Sequence, residues 1–202
     1  MMPESPDLTR DAPPAGALAR LLDSLGGTPP GRRPPPVERW NPAYRGEIDL
    51  RIAADGSWHY EGSPVTRPAL VKLFSTVLRK DPDRYVLVTP VERFGITVDD
   101  APFVAVEMAV EGEGEARQIA FRTNVDDLVA VGPGHPLRFE READGGVKPY
   151  VRVRGELWAR LTRALALDLL ELGELRQGDV FGVAAAGLFF PVGTAADLEA
   201  SA

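Results

Sequence analysis

The chain has 202 residues, with 23 basic and 30 acidic side chains, a formal net charge of -7 at pH 7 and no cysteine. An acidic balance excludes wholesale non-specific binding to nucleic acid, which needs a basic surface. The missing cysteines exclude a disulfide, a thiolate nucleophile and a cysteine-ligated zinc site.

Residues 1–38 are dominated by Pro, Gly, Ala and polar residues, and read as a mobile arm. The Pro29-Pro30 and Pro34-Pro35-Pro36 runs favour extended polyproline geometry. Within the arm, Ala17, Leu18, Leu21, Leu22 and Leu25 fall at helical spacing until Gly26-Gly27 stops the pattern. This short amphipathic helix suits docking on its own protein or on a partner. Acids and prolines at the start do not make a secretory signal. No apolar run approaches the roughly 20 residues that cross a bilayer. The expectation is a cytoplasmic protein that does not enter a membrane.

A first α+β domain is expected over residues 39–95. Val37 to Gly46 reads as a loop anchored by Trp40 and Tyr44. Ile48, Leu50 and Ile52 share one strand face, with Asp49 and Arg51 on the other. Asp55-Gly56 signals a hairpin turn, since Gly accepts positive φ. Trp58 and Tyr60 then lie on one face of the return strand. A helix is expected from near Thr66 to Pro68 as far as Lys80. Its buried stripe would be Leu70, Leu73, Phe74, Val77 and Leu78, with Arg79 and Lys80 at the negative end of its dipole. Tyr85 to Val88 is a strand.

A second domain is expected over residues 96–193, with a frayed tail at 194–202. Strands are expected at Ile96 to Val98, at Phe103 to Val110 with Val104, Val106, Met108 and Val110 inward, and at Gln118 to Thr123. VDDLVAV suits a helical turn or loop. The first unit then recurs: a strand at Leu137 to Glu140, an Asp144-Gly145-Gly146 turn, and a return strand at Lys148 to Arg154. A long helix follows from Gly155, burying Leu157, Leu161, Leu165, Leu169 and Leu172, with Gly173 as its cap. Two more strands, Val180 to Val183 and Leu188 to Val192, complete it. The fold expected is α+β, with two related strand-turn-strand-helix units forming two packed small domains of mostly antiparallel sheet.

The blocks IDLRIAADGSWHYEGSPVTRPALVKLFSTVL, YVLVTPVERFGITVDDAPFVAVEM, FRTNVDDLVAVGPGHPLRF and GGVKPYVRVRGELWARL, in this order, resemble the bacterial domain-of-unknown-function family 1285. The resemblance runs from about Trp40 to Val192. It implies a duplicated core, a C-terminal half similar to pleckstrin-homology-like folds, a site between the halves for a nucleotide-like ligand, and a signalling role, with oxidative stress as one setting. The family pattern has a cysteine before the glycine that enters the first strand. Here Arg45 stands before Gly46, so a thiol-based role would be lost.

The return strand of the second unit offers the strongest local candidate. Lys148, Tyr150, Arg152 and Arg154 alternate with apolar residues and are expected on one face, where three cations and a ring suit a phosphate and a stacked base. The bland alternative is a solvated face balanced by Glu140 and Glu142. Arg122, Thr123 and Asn124, at a strand end, could cradle an anion or cap the next turn. Arg51 and Arg67 could pair with Asp49 on the surface, or serve a site where the halves meet. Thr89 and Glu92 could line the same junction.

Enzyme signatures are weak. Ser57 and His59 share a strand face, but neither a glycine elbow nor an orienting acid accompanies them. Asp99-Asp100 and Asp126-Asp127 are acid pairs in turns, and Gly112 to Gly114 lacks the lysine of a phosphate-binding loop. The sequence therefore points to a non-enzymatic, ligand-binding protein of signal transduction, with its site at the interface of the two halves. Its ligand would be an anionic, nucleotide-like or phosphorylated small molecule, with no cofactor and no metal. The alternative is a protein-interaction module that uses the N-terminal arm and no small ligand.

Overall fold

The computed structural model describes residues 35–143 and 145–194. The helix expected between Ala17 and Leu25, Asp144 of the second turn and the tail beyond Thr194 lie outside them. Two compact units divide the chain: residues 35–51 with Trp58–Thr97, and Ile52–Ser57 with residues 98–194.

The first unit holds strands β1 (Ala43–Ile52), β2 (Trp58–Tyr60) and β3 (Ser63–Pro64), helix α1 (Pro68–Thr76), then β4 (Leu78–Lys80), β5 (Tyr85–Val88) and β6 (Glu92–Val98). They form one sheet in the order β3-β2-β1-β6-β5-β4. Strict alternation makes β1: Ile48, Leu50 and Ile52 are buried while Glu47, Asp49 and Arg51 are exposed. Trp58 is buried and stacks on Phe74 of α1, ring centroids 6.1 Å apart. Tyr44 does not anchor a loop on the core. It belongs to β1, is exposed, and donates to Glu47 at 2.8 Å while Arg84 lies over its ring.

Helix α1 ends four residues before the expected Lys80. Ser75 and Thr76 turn their hydroxyls back onto the carbonyls of Lys72 and Leu73, each at 2.7 Å, a habit that competes with helix propagation. Arg79 and Lys80 then lie in β4, paired with Val86 and Tyr85. Arg79 is buried, and its charge is met on three sides. Nε donates to Asp81 at 2.7 Å, and Nη1 donates to the carbonyls of Val37 at 2.8 Å and Trp40 at 2.6 Å. Asp81 also accepts from Arg93 at 3.0 Å. One guanidinium thus fastens the segment that leads into β1 onto β4.

The second unit holds β7 (Phe103–Glu111), β8 (Gln118–Thr123), β9 (Leu128–Ala130), β10 (Leu137–Arg141), β11 (Val147–Arg154), β12 (Leu157–Leu161), α2 (Arg163–Glu171), β13 (Gly173–Arg176), β14 (Val180–Ala185) and β15 (Leu188–Thr194). One sheet runs β10-β11-β12-β7-β8-β9, and a second runs β13-β14-β15. Only the β12–β7 pairing among those registered is parallel.

The long helix expected from Gly155 is a strand followed by a shorter helix. Leu157 and Leu161 are four apart and suit either structure, but Ala159 between them is also buried while Trp158 and Arg160 are half-exposed. That is period two, hence β12. Thr162 then caps α2, its hydroxyl accepting from Leu165 N at 3.4 Å. Gly173 opens β13 and is not a left-handed cap. Glycine is required there because a Cβ would overlap the Phe181 ring.

Two smaller expectations also change. Val106 is the extra residue of a bulge between Ala105 and Glu107, and it is exposed, as is Val110 near the strand end. The segment VDDLVAV forms a tight turn and then β9, because Asp126 takes a left-handed φ of 67° and the Thr123 hydroxyl accepts from Asp127 N at 3.0 Å. The duplication itself stands out more clearly than the sequence pattern suggested. In each unit three consecutive neighbouring strands precede a nine-residue helix, and three more neighbouring strands follow it after a single residue.

Replacing Arg79 leaves two buried carbonyls without their donor and removes half of Asp81's pairing. Arg79→Met is expected to lower the unfolding free energy by about 3 kcal/mol, within the range for breaking a buried pair. Urea denaturation followed by circular dichroism checks this. Arg79→Lys should recover only part of the loss, since an ammonium does not span three partners in a plane.

Candidate functional site

Strand β11 pairs with β10 on one side and β12 on the other, and this register decides which cations share a face. Arg138 lies opposite Tyr150, and Tyr150 opposite Arg160; Glu140 lies opposite Lys148, and Arg152 opposite Trp158. One sheet face therefore carries Arg138, Glu140, Lys148, Tyr150, Arg152, Trp158 and Arg160. Arg154 does not join it. The register shifts between Arg152 and Arg154, which places Arg154 opposite Leu157 on the other face. There it stacks over Phe103 at 5.1 Å and pairs with Asp127 at 2.8 Å.

Each of the other side chains on β11 already has protein partners. Tyr150 is buried, so its ring offers no platform to a base; Arg138 covers it at 4.8 Å and also covers Trp158 at 4.4 Å. The Tyr150 hydroxyl donates to Asp100 at 2.7 Å. Burial first, and the Asp100 carboxylate second, push its pKa well above the ordinary phenol value. Lys148 pairs with Glu142 at 2.8 Å, which holds its ammonium pKa up. Arg152 donates to the Gly134 carbonyl from Nε and Nη2, both at 3.2 Å, and its own carbonyl faces His135 Nδ1 at 2.9 Å.

The other sequence candidates lie apart from this face. Arg122 pairs with Glu107 and, at 2.8 Å, with Asp126; the Arg122 guanidinium in turn depresses the Glu107 carboxyl. Thr123 is fully buried and its hydroxyl accepts from the turn backbone. Asn124 accepts from Val104 N at 3.0 Å and donates to the Gly56 carbonyl at 3.3 Å. These two side chains build a turn and brace its neighbour. Arg51 is exposed on β1, and Arg67 is exposed at the N-cap position of α1. Thr89 and Glu92 close the β5–β6 turn, the hydroxyl donating to Glu92 O at 3.1 Å. Ser57 donates to Asp55 at 2.6 Å within the Asp55-Gly56 turn.

A cleft opens in the second unit where the start of β11 and the end of β12 meet α2. It holds about 420 Å³ and is lined by Glu142, Gly146, Val147, Lys148, Pro149, Arg160, Leu161, Arg163, Ala166, Leu167 and Leu170. Three cations border it, and they are not equally engaged. Lys148 has Glu142. Arg160 has Asp100 only at 3.7 Å, and its buried Nε has no hydrogen-bond partner. Arg163 is exposed, with no ion-pair partner among the described residues. It is also the first residue of α2, whose first turn contains no acid. A cation at the positive end of a helix adds to an unbalanced positive potential. At Arg163 the cleft can therefore receive an anion without breaking an ion pair, while Lys148 is shared with Glu142, which lines the same cleft. Among the described residues, no group of three His, Asp or Glu side chains is placed to hold a metal ion.

Arg160 and Arg163 were not among the sequence candidates, because reading a long helix from Gly155 hid the strand and the cap. The alternation Leu157-Ala159-Leu161 followed by Thr162 was the signal that could have found them.

Family models match almost all of the described chain. The N-terminal domain of DUF1285, a domain of unknown function, matches residues 35–101, and the C-terminal domain matches residues 102–192. The chain belongs to the DUF1285 family. A crystal structure of a DUF1285 family protein from Silicibacter pomeroyi DSS-3 is 46% identical, covering 89% of this chain and 97% of that one, with a TM-score of 0.82. Another, of a DUF1285 family protein from Shewanella baltica OS155, is 26% identical, covering 60% of this chain and 90% of that one, with a TM-score of 0.48. No curated protein matches this chain. No helix of the described residues is long and apolar enough to cross a membrane.

Tyr150 gives this DUF1285 member an alkaline signature. Its folded pKa is raised above the ordinary value of 10.0, so its stabilising effect is complete below that pH and is lost as pH rises towards the folded value. Phenolate absorbance of the folded protein is expected to show Tyr150 titrating last, and Tyr150→Phe should delete that final step. The same substitution should flatten the decline of stability above about pH 10.

Proposed function

We propose that this DUF1285 protein is a non-enzymatic binding protein for an anionic small molecule, and that the anion sits in the cleft between β11, β12 and α2. The observation that carries the reading is Arg163, an exposed guanidinium at the first position of α2, which borders the cleft without an acidic partner among the described residues. Arg160, with its buried Nε unsatisfied, and Lys148 complete a cationic border. A phosphate suits these groups, because guanidinium forks bind its oxygens in pairs. A nucleotide-like ligand would use the same cations for its phosphate. A change of the bound state on α2, a helix followed directly by the β13-β14-β15 sheet, would give such a protein a route to a signalling output.

The face of β11 supports this placement by contrast. Asp100, the Gly134 carbonyl and Asp127 answer Tyr150, Arg152 and Arg154, so a ligand there would have to displace partners already in place. At the cleft a ligand meets Arg163 first.

Isothermal titration of the full chain with inorganic phosphate and adenosine monophosphate tests the reading, alongside a thermal-shift series. A ligand that binds only the folded state at 100 times its Kd stabilises the protein by about 2.7 kcal/mol. Arg163→Glu is exposed and should fold normally, yet weaken anion binding at least about tenfold, equivalent to about 1.4 kcal/mol. Binding that is unchanged in Arg163→Glu, or absent for every anion, would overturn the proposal.

A further inference from the structure

We infer that the anion taken by this cleft carries an unbranched aliphatic chain, its charged head at Arg163, Arg160 and Lys148 and its chain along α2. This rests on the binding reading above and adds the chemistry of the rest of the ligand. Arg163, Ala166, Leu167 and Leu170 all line the cleft, and their spacing makes one stripe along a helix. The stripe begins on a cation and continues on aliphatic carbon. From Arg163 to Leu170 the helix rises roughly 10 Å at 1.5 Å per residue, a span that an octyl chain matches. Leu161 of β12 faces the same space.

Two observations favour a chain over a nucleobase. Among the described residues that line the cleft none is aromatic, so the rings that bases stack on are missing, and Tyr150 is buried and covered by Arg138. Leu167 is 57% exposed although it lies beside an aliphatic wall. A bound chain would cover it, and nothing in the fold of α2 requires a leucine there. The cleft volume of about 420 Å³ lies at the small end of ligand sites, which run from about 300 Å³ upward.

The same chemistry, a phosphate on an aliphatic chain, occurs free in solution and at an anionic bilayer. The experiment is calorimetric titration of the full chain with ethyl, butyl, hexyl and octyl phosphate below their micelle concentrations, with adenosine monophosphate beside them. A parallel arm uses phosphatidylcholine vesicles containing phosphatidic acid. Affinity should rise about two- to fourfold per methylene, as expected for partly to fully buried CH2 groups. Leu167→Ser, which removes the aliphatic wall without adding a charge one turn from Arg163, should flatten that rise, and Arg163→Glu should weaken every member of the series.

Equal affinity for ethyl and octyl phosphate, or tighter binding of adenosine monophosphate than of octyl phosphate, would overturn the chain while leaving the anion site standing. Binding to vesicles without binding of soluble octyl phosphate would also overturn it, because a cleft that holds the chain along α2 should take the free ligand. Failure of every phosphate, ethyl phosphate and inorganic phosphate included, would remove the anion site itself.

Discussion

A cation on a strand that is covered on both faces has to be met by a carboxylate or a carbonyl, because an unpaired buried charge costs several kcal/mol. Strand β11 meets that constraint in a milder form, with Pro149, Tyr150 and Val151 buried at its middle and its cations half-buried. Lys148, Arg152 and Arg154 are each half-buried, and each is met, by Glu142, by the Gly134 carbonyl and by Asp127. Tyr150 meets Asp100 in the same way. The charges that make β11 conspicuous are thus used to hold its neighbours in register. What the constraint leaves over lies one strand further on, where β12 gives way to α2. Arg160 is loosely paired and Arg163 stands at the positive end of a helix. The binding proposed for the second unit rests on this uneven satisfaction more than on the number of cations.

The first unit solves a similar problem with a single residue. Arg79 is buried in β4 and binds Asp81 and two carbonyls of the segment before β1. Its Nε and Nη1 are taken by these partners and the side chain is buried, so its charge is not presented to a ligand. The repeated element, three strands, a nine-residue helix and three strands, has therefore diverged in what it does with arginine. Both copies place an exposed arginine at the helix start, Arg67 before α1 and Arg163 opening α2, but only the first buries a guanidinium after the helix to staple the chain.

Much of this architecture was legible in the residues. The alternation of Ile48, Leu50 and Ile52, the Asp55-Gly56 turn and the Pro68 helix start lead directly to β1, its turn and α1. The repeat was legible too. What failed did so for identifiable reasons. Leu157 and Leu161 satisfy helix and strand periods equally, and only Ala159 decides between them. Ser75 and Thr76 ended a helix whose apolar stripe ran on into β4. Bulges are invisible to simple alternation, and one moved Arg154 off the face of Lys148, Tyr150 and Arg152 while another exposed Val106. The candidate site was legible only as chemistry, an excess of arginine near Lys148. Its place depended on where β12 stopped and α2 began.

The most direct test of the account is to locate an anion experimentally. Crystals of the full chain grown or soaked with tungstate, a heavy tetrahedral oxyanion, would report its position by anomalous diffraction. A principal peak is expected in the cleft, against the Arg163 guanidinium and within reach of Arg160 and Lys148. A principal peak elsewhere, on the Arg122 turn or against Arg67, with the cleft empty at the same concentration, would contradict it.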